Sequence, residues 1–455
     1  MKTFLDWSAY DTYGMGDAYA GIPATGGNYA KAVAVCMNNH QCQRDGKGVM
    51  CPSYRITGDP AHSTGARVKA FKAALNGEFG EQPFIHPDLA AAMDLCVSCK
   101  GCKKECPSSV DMTLIKTEYL AHRNDELGVP RRAKLFGGLP EWLHRYRRPL
   151  AALVRLRNAS PWLAGLVERR LGISAKRPIP EIVSQPVFAE STESHTPGVL
   201  PSGRGQRGKV ALFVDTFTHY YTPEVAEAAI AVLTAGGYAV EVLRPAADDA
   251  EPERPLCCGR TYLSQGMVDA AKLEGKRVMA ALAPALAAGT PIVGLEPSCL
   301  LALRDEFYSL SLGPDVGQLG KQAFLFEEFL MREGNKGLKL DLKPIPGGKA
   351  VVHGHCHQKA FGAMKSMKKV LGWIPEFEFE IVDASCCGMS GSFGLEAEHY
   401  EASVKMGELA LLPAVRSAPA DATIVADGFS CRHQIKDGTG RDAVHVAVLL
   451  ARALV

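Results

Sequence analysis

The arrangement of the cysteines limits this chain more than any other feature of its sequence. Four of the fourteen cysteines lie within eleven residues, in the run Cys96-x2-Cys99-x2-Cys102-x3-Cys106, and Pro107 follows the last of them. A cubane iron–sulfur cluster needs thiolates around a compact core, and a tight loop supplies three of them at two-residue intervals. Zinc sites more often use two CxxC pairs that are well separated in the sequence. The run therefore predicts iron–sulfur ligation rather than a zinc site or a set of buried thiols.

A second cysteine–proline pair, Cys51 and Pro52, lies earlier in the chain. In two-cluster ferredoxins the cysteine before the proline ligates the cluster of the other run. Cys51 is therefore expected to complete a four-thiolate cluster, and we call this set site A. Its predicted ligands are Cys51, Cys96, Cys99 and Cys102.

By the same rule, Cys106, which also precedes a proline, is expected to ligate the cluster of an earlier and less regular cysteine group. Cys36 and Cys42 stand where the outer cysteines of a C-x2-C-x2-C run would be, but Asn39 holds the centre of the run. The predicted ligands of this set, which we call site B, are Cys36, Cys42 and Cys106. Three thiolates fit a [3Fe–4S] cluster, or a [4Fe–4S] cluster whose last iron takes a side chain such as His40 or a solvent molecule.

The second half of the chain contains an internal repeat in which apolar strand-like segments alternate with helical ones. The strand-like segments span 210–215, 238–243 and 291–295 in the first copy, and 350–354, 379–383 and 423–427 in the second. Strands that alternate with helices at this spacing predict parallel βαβ units, whose ligands gather at the carboxyl ends of the strands. We expect two pseudo-symmetric α/β Cys-Cys-Gly lobes, lobe one over residues 209–345 and lobe two over residues 346–455.

Each copy carries a Cys-Cys-Gly triplet after its second strand and another cysteine after its third. Glycine tolerates a positive φ, and the resulting turn lets both thiolates face one site. In lobe two a further cysteine follows the first strand, and the set that we call site C is Cys356, Cys386, Cys387 and Cys431. The set in lobe one, site D, is Cys257, Cys258 and Cys299. An iron–sulfur or zinc centre, alone or shared between the lobes, is expected here, with inert buried thiols as the alternative.

Composition divides the rest of the chain. Residues 1–130 are expected to form a helical ferredoxin-type iron–sulfur domain, and residues 176–208 are predicted to be a linker. The predicted fold class is therefore α + α/β. The net charge of only +2 does not suggest a nucleic-acid partner. No apolar run approaches the roughly 18–20 residues that span a bilayer, and the start lacks the apolar core of a secretory signal, so a cytoplasmic location is expected.

A basic amphipathic segment occupies residues 131–175. Between residues 131 and 171 it contains ten Lys or Arg and two Glu, interleaved with tryptophan and leucine. Such a segment can lie on an anionic membrane surface at the inner face of the membrane, or dock a flavin subunit. It can also cover the protein's own core and leave its basic face in water. The sequence leaves these three interpretations open.

Taken together, these motifs resemble the iron–sulfur half of bacterial FAD-linked dehydrogenases of D-2-hydroxy acids, the glycolate, D-lactate and D-2-hydroxyglutarate dehydrogenase group. They are also similar to the iron–sulfur subunit of anaerobic glycerol-3-phosphate dehydrogenase and to heterodisulfide reductase. Besides the run at residues 96–107, the matching stretches are Cys36-Met-Asn-Asn-His-Gln-Cys42, Met50-Cys-Pro-Ser-Tyr54, Val110-Asp-Met112, His355-Cys-His-Gln-Lys359, Ser385-Cys-Cys-Gly388 and Gly428-Phe-Ser-Cys431.

The resemblance implies an oxidoreductase component that relays electrons from reduced FAD to an acceptor such as quinone. The FAD would lie on a partner chain or on a domain missing from this sequence. In the heterodisulfide reductase branch, five-cysteine Cys-Cys-Gly units build unusual clusters, whereas the lobes here have three and four cysteines and no terminal CxxC. Two other functions stay open: a heterodisulfide-reductase-like enzyme with substrate chemistry at the Cys-Cys-Gly site, and a zinc-stapled scaffold without redox activity.

Overall fold

A computed structural model of the chain describes residues 1–13, 21–44, 46, 48–186 and 207–455. Its first 130 residues form short helices joined by the loops that carry the cysteines. These helices are α1 (Gly27–Ala34), α2 (Pro52–Thr57), α3 (Thr64–Leu75), α4 (Pro87–Asp94), α5 (Gly101–Glu105) and α6 (Met112–Leu127). The sequence predicts helices over residues 67–75 and 112–122, and α3 and α6 cover these two segments. Each begins at a side-chain cap, Ser63 for α3 and Asp111 for α6.

Buried aromatic residues hold these helices together. The ring of Phe71 meets the rings of Tyr29 and Tyr119 edge to face, with centroids 6.2 and 5.9 Å apart. Burial of large apolar rings is the main favourable contribution to the folding of a small helical unit. The buried carboxylate of Glu118 accepts hydrogen bonds from two backbone N–H groups near the chain start, at 2.7 and 2.9 Å. These bonds fix the start of the chain against α6.

The basic segment forms three helices, α7 (Arg131–Gly137), α8 (Leu139–Ala159) and α9 (Pro161–Leu171). Helix α8 bends at Tyr146, whose φ is −129°, because the ring of Pro149 does not fit against the preceding turn of a straight helix. One side of α8 packs through Leu143 on Tyr220 of lobe one. A stripe along α8 and α9 keeps apolar side chains exposed, namely Trp142, Tyr146, Leu153, Leu156, Trp162 and Leu166. No helix in the described ranges is long and apolar enough to cross a bilayer.

Two parallel sheets form the rest of the molecule. Lobe one has the strand order β2-β1-β3-β4, with β1 (Gly208–Phe213), β2 (Tyr238–Val242), β3 (Ile292–Gly294) and β4 (Ala323–Leu325). Lobe two has the order β6-β5-β7, with β5 (Ala350–His353), β6 (Phe379–Ile381) and β7 (Ile424–Ala426). The first three strands therefore take the same order in both lobes, which confirms the predicted parallel α/β character. The sequence did not predict β4, whose place in lobe two is marked by a parallel bridge between Val425 and Val444.

Helices alternate with these strands. Lobe one contains α10 (Thr216–Tyr220), α11 (Pro223–Ala235), α12 (Arg260–Leu263), α13 (Val268–Ala287), α14 (Pro297–Leu303), α15 (Val316–Gln322) and α16 (Phe326–Gly334). Lobe two contains α17 (Cys356–Ala360), α18 (Met364–Leu371), α19 (Tyr400–Glu408), α20 (Leu411–Ser417), α21 (Phe429–Thr439) and α22 (Val446–Ala453). The sequence predicts one helix over residues 359–371, which is wrong. The chain turns between α17 and α18, where Gly362 is a poor helix former.

The two lobes share one layer of helices. Alternate residues of a strand point to opposite faces of its sheet, so Val210 and Leu212 of β1 face one core while Ala211 and Phe213 face another. The first core also contains Val352 of lobe two. Within it, α16 of lobe one packs on α18 of lobe two, and α22 of lobe two packs on α11 of lobe one. The division of the chain into domains at the proposed boundaries stays a prediction.

The described part of the predicted linker, residues 176–186, contacts both lobes. The carbonyl of Pro178 lies 3.1 Å from His433 Nε2 of lobe two, and the N–H of Val183 donates to the carbonyl of Tyr220 of lobe one at 3.0 Å. Residues 187–206 lie outside the described residues. Arg177 is buried, and its guanidinium donates to Asp437 at 2.8 Å and to Ser403 at 3.1 Å. A buried arginine needs such partners because an unpaired buried charge is strongly unfavourable. This contact joins the end of the basic segment to lobe two.

Candidate iron–sulfur sites

The predicted ligands of site A surround one buried cavity. Cys51, Cys96, Cys99 and Cys102 all line this cavity, and all four side chains are buried. Cys51 lies directly before α2, and Cys102 lies in α5. Sulfur atoms from four directions around one enclosed space are what a cubane cluster requires. The residues present therefore fit a [4Fe–4S] cluster.

Two cations, the buried Arg67 and the half-buried Lys116, lie beside site A. Arg67 donates from its guanidinium to the carbonyl of Ala92 and to the hydroxyl of Ser53, both at 2.9 Å. Lys116 donates from Nζ to the carbonyl of Cys96 at 2.5 Å. Burial lowers the pKa of Lys116, and the neighbouring Cys96 opposes this shift. Fixed cations stabilise an anionic cluster and tune its reduction potential. The sequence gave no signal that Arg67 and Lys116 lie beside the cysteines, because both residues come from helices outside the cysteine run.

The loops of sites A and B turn in the same way. In each loop the second and fourth residues after the first cysteine have positive φ between +49° and +60°, and these residues are Asn38, His40, Ser98 and Lys100. Non-glycine residues rarely adopt this conformation, so its recurrence at matching positions marks one shared loop design. Asn39 therefore occupies in site B the place that Cys99 occupies in site A.

The structure brings the three cysteines of site B together. Cys36 lies close enough to Cys42 and Cys106 for both to influence its pKa, which burial raises above its ordinary value. The side-chain amide of Asn39 lies 4.0 Å from Cys106 Sγ. The ring of His40 is exposed, and its Nδ1 lies 3.1 Å from the side-chain oxygen of Gln43. Asn39, which the sequence reasoning did not consider as a ligand, is therefore the polar side chain beside this site.

Sites A and B meet at Cys51. Its Sγ accepts a hydrogen bond from the backbone N–H of Thr64 at 3.3 Å, and the Thr64 hydroxyl lies 2.9 Å from the same atom. Cys51 also contacts Cys42, and this contact is the largest influence that lowers the pKa of Cys42 to about 5. The two predicted ligand sets are therefore neighbours, as expected for a pair of clusters in one small domain.

The cysteines of site C form a contiguous row. Cys386 contacts Cys356 on one side and Cys387 on the other, and Cys387 contacts Cys431. All four are buried. Lys359, one turn along α17 from Cys356, donates from Nζ to the two backbone carbonyls directly before Cys386. Site C therefore combines four buried thiols with a half-buried cation.

Site D is built in the same way from three cysteines. Cys258 contacts both Cys257 and Cys299, and all three are buried. Gly259 has φ of +75°, and Gly388 in the matching triplet of lobe two has φ of +91°. Each glycine donates its N–H to the first sulfur of its triplet at 3.4 Å. The predicted positive φ after each cysteine pair is confirmed.

A compact group of possible metal ligands lies outside sites A to D. Among the described residues, the group of three ligand atoms within 4.8 Å of one another is Glu396, Glu398 and His399, which contains no cysteine. That group is already engaged, because Arg132 pairs with both carboxylates and the histidine bonds to Glu396 and Asp94.

Site A lies directly against site C. Cys99 and Cys356 belong to one buried cluster, and burial followed by the charge of Cys356 raises the pKa of Cys99. The ring Nε2 of His357 lies 3.2 Å from the carbonyl of Ser98. Two lobe-two hydroxyls also donate to carbonyls of the cluster loops, both at 2.6 Å, from Ser385 to Val49 and from Ser390 to Val97.

Lobe one shares a buried apolar core with the amino-terminal domain and also contacts it through charged groups. Lys100, in the loop of site A, is buried and pairs with Asp305 and with Glu306, the latter at 2.9 Å. Lys103 pairs with Asp111 at 2.7 Å and also with Asp305. Asp305 and Glu306 belong to lobe one, so this network joins it to the loop of site A.

The comparisons with known proteins agree with this arrangement. The 4Fe-4S dicluster domain family matches residues 32–110, which contain sites A and B. A subunit of the anaerobic glycerol-3-phosphate dehydrogenase of Escherichia coli K12 is 28% identical over 307 residues, or 67% of this chain and 73% of that protein. The D-2-hydroxyglutarate dehydrogenase of the same strain is 25% identical over 460 residues, or 89% of this chain and 42% of that protein. No solved structure matches the chain.

These findings identify the chain as an iron–sulfur electron-transfer component of the oxidoreductase class. The expected resemblance to iron–sulfur components of flavin-linked dehydrogenases is confirmed. A third relative, lactate utilization protein A of Bacillus velezensis, is 26% identical over 195 residues, or 41% of this chain and 75% of that protein.

Proposed function

We propose that this chain relays electrons for a flavin-linked dehydrogenase of D-2-hydroxy acids such as D-lactate, glycolate or D-2-hydroxyglutarate. The observation that carries the proposal is the contact between the loops of sites A and C, where His357 Nε2 lies 3.2 Å from the carbonyl of Ser98 and where Cys99 and Cys356 share one buried cluster. Electron transfer between two centres becomes efficient when they are close and shielded from water. A relative whose name includes D-2-hydroxyglutarate dehydrogenase matches 89% of this chain, which supports this substrate class.

The flavin would lie on a partner chain or on a domain outside this sequence. The chain spans 42% of the D-2-hydroxyglutarate dehydrogenase that it matches, so most of that protein has no counterpart here. The glycerol-3-phosphate dehydrogenase relative is named as a subunit, which supports a partner that oxidises the substrate. An acceptor such as quinone would receive the electrons at the other end of the relay.

The residues of this chain would serve the relay by holding and shielding the centres. A bound iron–sulfur cluster supplies one-electron chemistry, which divides the electron pair of a reduced flavin into single steps. Cys51, Cys96, Cys99 and Cys102 would hold one [4Fe–4S] cluster. Site B would hold a second cluster, [4Fe–4S] or [3Fe–4S]. Nearby cations would offset the negative charge of the thiolates, namely Arg67 and Lys116 at site A and Lys359 at site C.

The relay can be tested by EPR of the dithionite-reduced protein, prepared without oxygen. We expect signals from sites A and C that broaden each other, because neighbouring paramagnetic centres interact. Cys386→Ser should remove this interaction and leave the signal of site A, whereas the matched Cys257→Ser in site D should leave the interaction unchanged. Protein that contains zinc and no iron would refute the relay and favour a scaffold. Thiol turnover that Cys386→Ser abolishes, without interaction between A and C, would favour a heterodisulfide-reductase-like enzyme.

The exposed stripe of α8 and α9 supports a peripheral contact with an anionic membrane, where a quinone acceptor would be available. Trp162 is 73% exposed, and Leu153 and Leu156 are 60% and 56% exposed, on a segment rich in arginine. Apolar side chains among basic ones match the headgroup region of an anionic bilayer.

Sedimentation with vesicles tests this contact. The chain should bind phosphatidylglycerol vesicles more strongly than phosphatidylcholine vesicles. The double variant Leu153→Glu and Leu156→Glu should weaken this binding by about tenfold or more. Leu273→Glu is the matched control, because Leu273 is 63% exposed on α13, outside the stripe. Equal binding of the double variant and the control would exclude the proposed surface.

A further inference from the structure

Helices α10 and α17 are counterparts in the two lobes. Each has five residues and directly follows the first strand of its lobe. Each is capped by the residue before it: Asp215 accepts from the N–H of Phe217 at 2.8 Å, and His355 Nδ1 accepts from the N–H of His357 at 3.1 Å. The same cap at the same place fixes the register between the two helices. Their first residues, Thr216 and Cys356, therefore correspond.

The side chains around these first residues follow the same order. In lobe two, Cys356 contacts Cys386, the first cysteine of the triplet, and the row continues through Cys387 to Cys431. In lobe one, Thr216 contacts the first cysteine of the triplet, and its row runs in the order Thr216, Cys257, Cys258 and Cys299. Three positions carry sulfur in both rows, and the fourth carries sulfur in lobe two alone.

Local geometry supports this correspondence independently. The glycine N–H of each triplet donates to the first sulfur at the same distance, 3.4 Å. The strands that carry the loops take the same order in the two sheets. Thr216 is buried like the cysteine that it replaces, so its hydroxyl lies inside the row and not in solvent. The rows therefore differ at one ligand position on an otherwise shared frame.

We propose that Thr216 occupies the fourth ligand position of a metal centre in lobe one, and that this hydroxyl keeps lobe one from retaining the four-thiolate centre that site C retains. A neutral hydroxyl is a hard and weak ligand, whereas iron and other thiophilic metals favour thiolate. Site D is thus a latent centre that one substitution completes. This inference rests on the proposal that site C holds a metal centre.

The decisive variant is Thr216→Cys. Purified chain is reconstituted with ferrous iron and sulfide without oxygen, then desalted, and iron and sulfide are measured per chain. Thr216→Cys should raise both by the amount that Cys386→Ser removes from the unsubstituted chain. Thr218→Cys is the matched control, because Thr218 is a buried neighbour on α10 whose counterpart is Gln358. This control should leave iron and sulfide unchanged, and thermal unfolding checks that both variants fold.

The reciprocal exchange adds an independent readout. Cys356→Thr should lower the iron content and remove the EPR interaction with site A. Adding Thr216→Cys to Cys356→Thr should restore the iron but not the interaction, because the restored centre would lie in lobe one. Unchanged iron in folded Thr216→Cys, with iron lost in Cys386→Ser, would overturn the role of Thr216 alone. Unchanged iron in Cys386→Ser would instead refute the metal centre at site C.

Discussion

Lobe one and lobe two share the same strand order and the same Cys-Cys-Gly loops. They differ at the position that, in lobe two, faces the amino-terminal domain. Cys356, the fourth sulfur of lobe two, shares a buried cluster with Cys99 of site A. Thr216 replaces it in lobe one, just as Asn39 of site B stands in the place of Cys99. Sites A and C, which have four cysteines each, therefore come together at Cys99 and Cys356. The corresponding positions in sites B and D carry no sulfur. This pattern suggests that duplication supplied the frame, and that a full ligand set persists where two centres touch.

The largest expected difference between the lobes comes from the glycine of each triplet. A Cβ at residue 388 would lie 2.1 Å from the carbonyl oxygen of Ser403, whereas a Cβ at residue 259 would lie 3.1 Å from that of Ala271. Both glycines also have positive φ, which costs a side chain about 1–2 kcal/mol. Gly388→Ala should therefore lower the free energy of unfolding by more than about 3 kcal/mol, and Gly259→Ala by about 1–2 kcal/mol.

Urea denaturation, followed by circular dichroism, measures this difference. The pair of variants is its own control, since the substitution and the local turn are the same. Equal destabilisation of the two variants would mean that the close contact with α19 relaxes at no cost.

A smaller difference should follow from the fourth residue of α10 and α17. Lys359 lies near the four thiols of site C, whereas His219 holds the matching position in lobe one. A nearby cation favours the reduced, more negative form of a centre. Lys359→Met should therefore lower the reduction potential of the site C signal by about 100 mV, as expected for one charge at short range in a partly screened interior.

An EPR-monitored redox titration measures the shift. His219→Met should leave the potential of site C unchanged, and this variant controls for the effect of a methionine at that helix position. A potential that is the same in both variants would show that Lys359 acts only by bonding to the carbonyls before Cys386.

The smallest expected difference concerns how each lobe holds the amino-terminal domain as the pH changes. Burial lowers the pKa of His399, but hydrogen bonds with Asp94 and Glu396 outweigh it and raise the pKa to about 9. A histidine whose folded pKa is raised stabilises the fold fully below its ordinary pKa of about 6.5 and loses this effect as pH rises through 9. The free energy of unfolding should fall by about 1 kcal/mol over this range. This value is small because solvent screens the charge of the exposed Asp94 side chain.

The comparison with lobe one sharpens this prediction. Burial opposes the charge of Lys103, but Asp111 and Asp305 hold its pKa above the ordinary value, so the lobe-one contact does not titrate between pH 6.5 and 9. The urea midpoint of His399→Gln should therefore change less with pH than that of the unsubstituted chain. A pH profile that this substitution does not alter would assign the dependence to another group.

Local spacing predicted that the runs at Cys36–Cys42 and Cys96–Cys106 form tight loops, and the role of these cysteines as ligands stays a prediction. The strands other than β4 were predicted as well, since their apolar runs and turns recur in both copies. The placement of Cys99 and Cys356 in one buried cluster was beyond prediction, because it depends on how lobe two packs against loops more than two hundred residues away. Thr216 was missed because a threonine at a helix start is common, and only the register of α10 against α17 reveals what it replaces.

Two helices pack across the boundary between the lobes, and this packing determines how the molecule unfolds. Helix α16 of lobe one packs on lobe two, and α22 of lobe two packs on lobe one, so neither sheet keeps its cover if the other unfolds. The lobes therefore form a single foldon, and hydrogen exchange should protect β1 and β5 to the same free energy. Because the two lobes unfold together, the two Cys-Cys-Gly loops are expected to become exposed to solvent at the same rate.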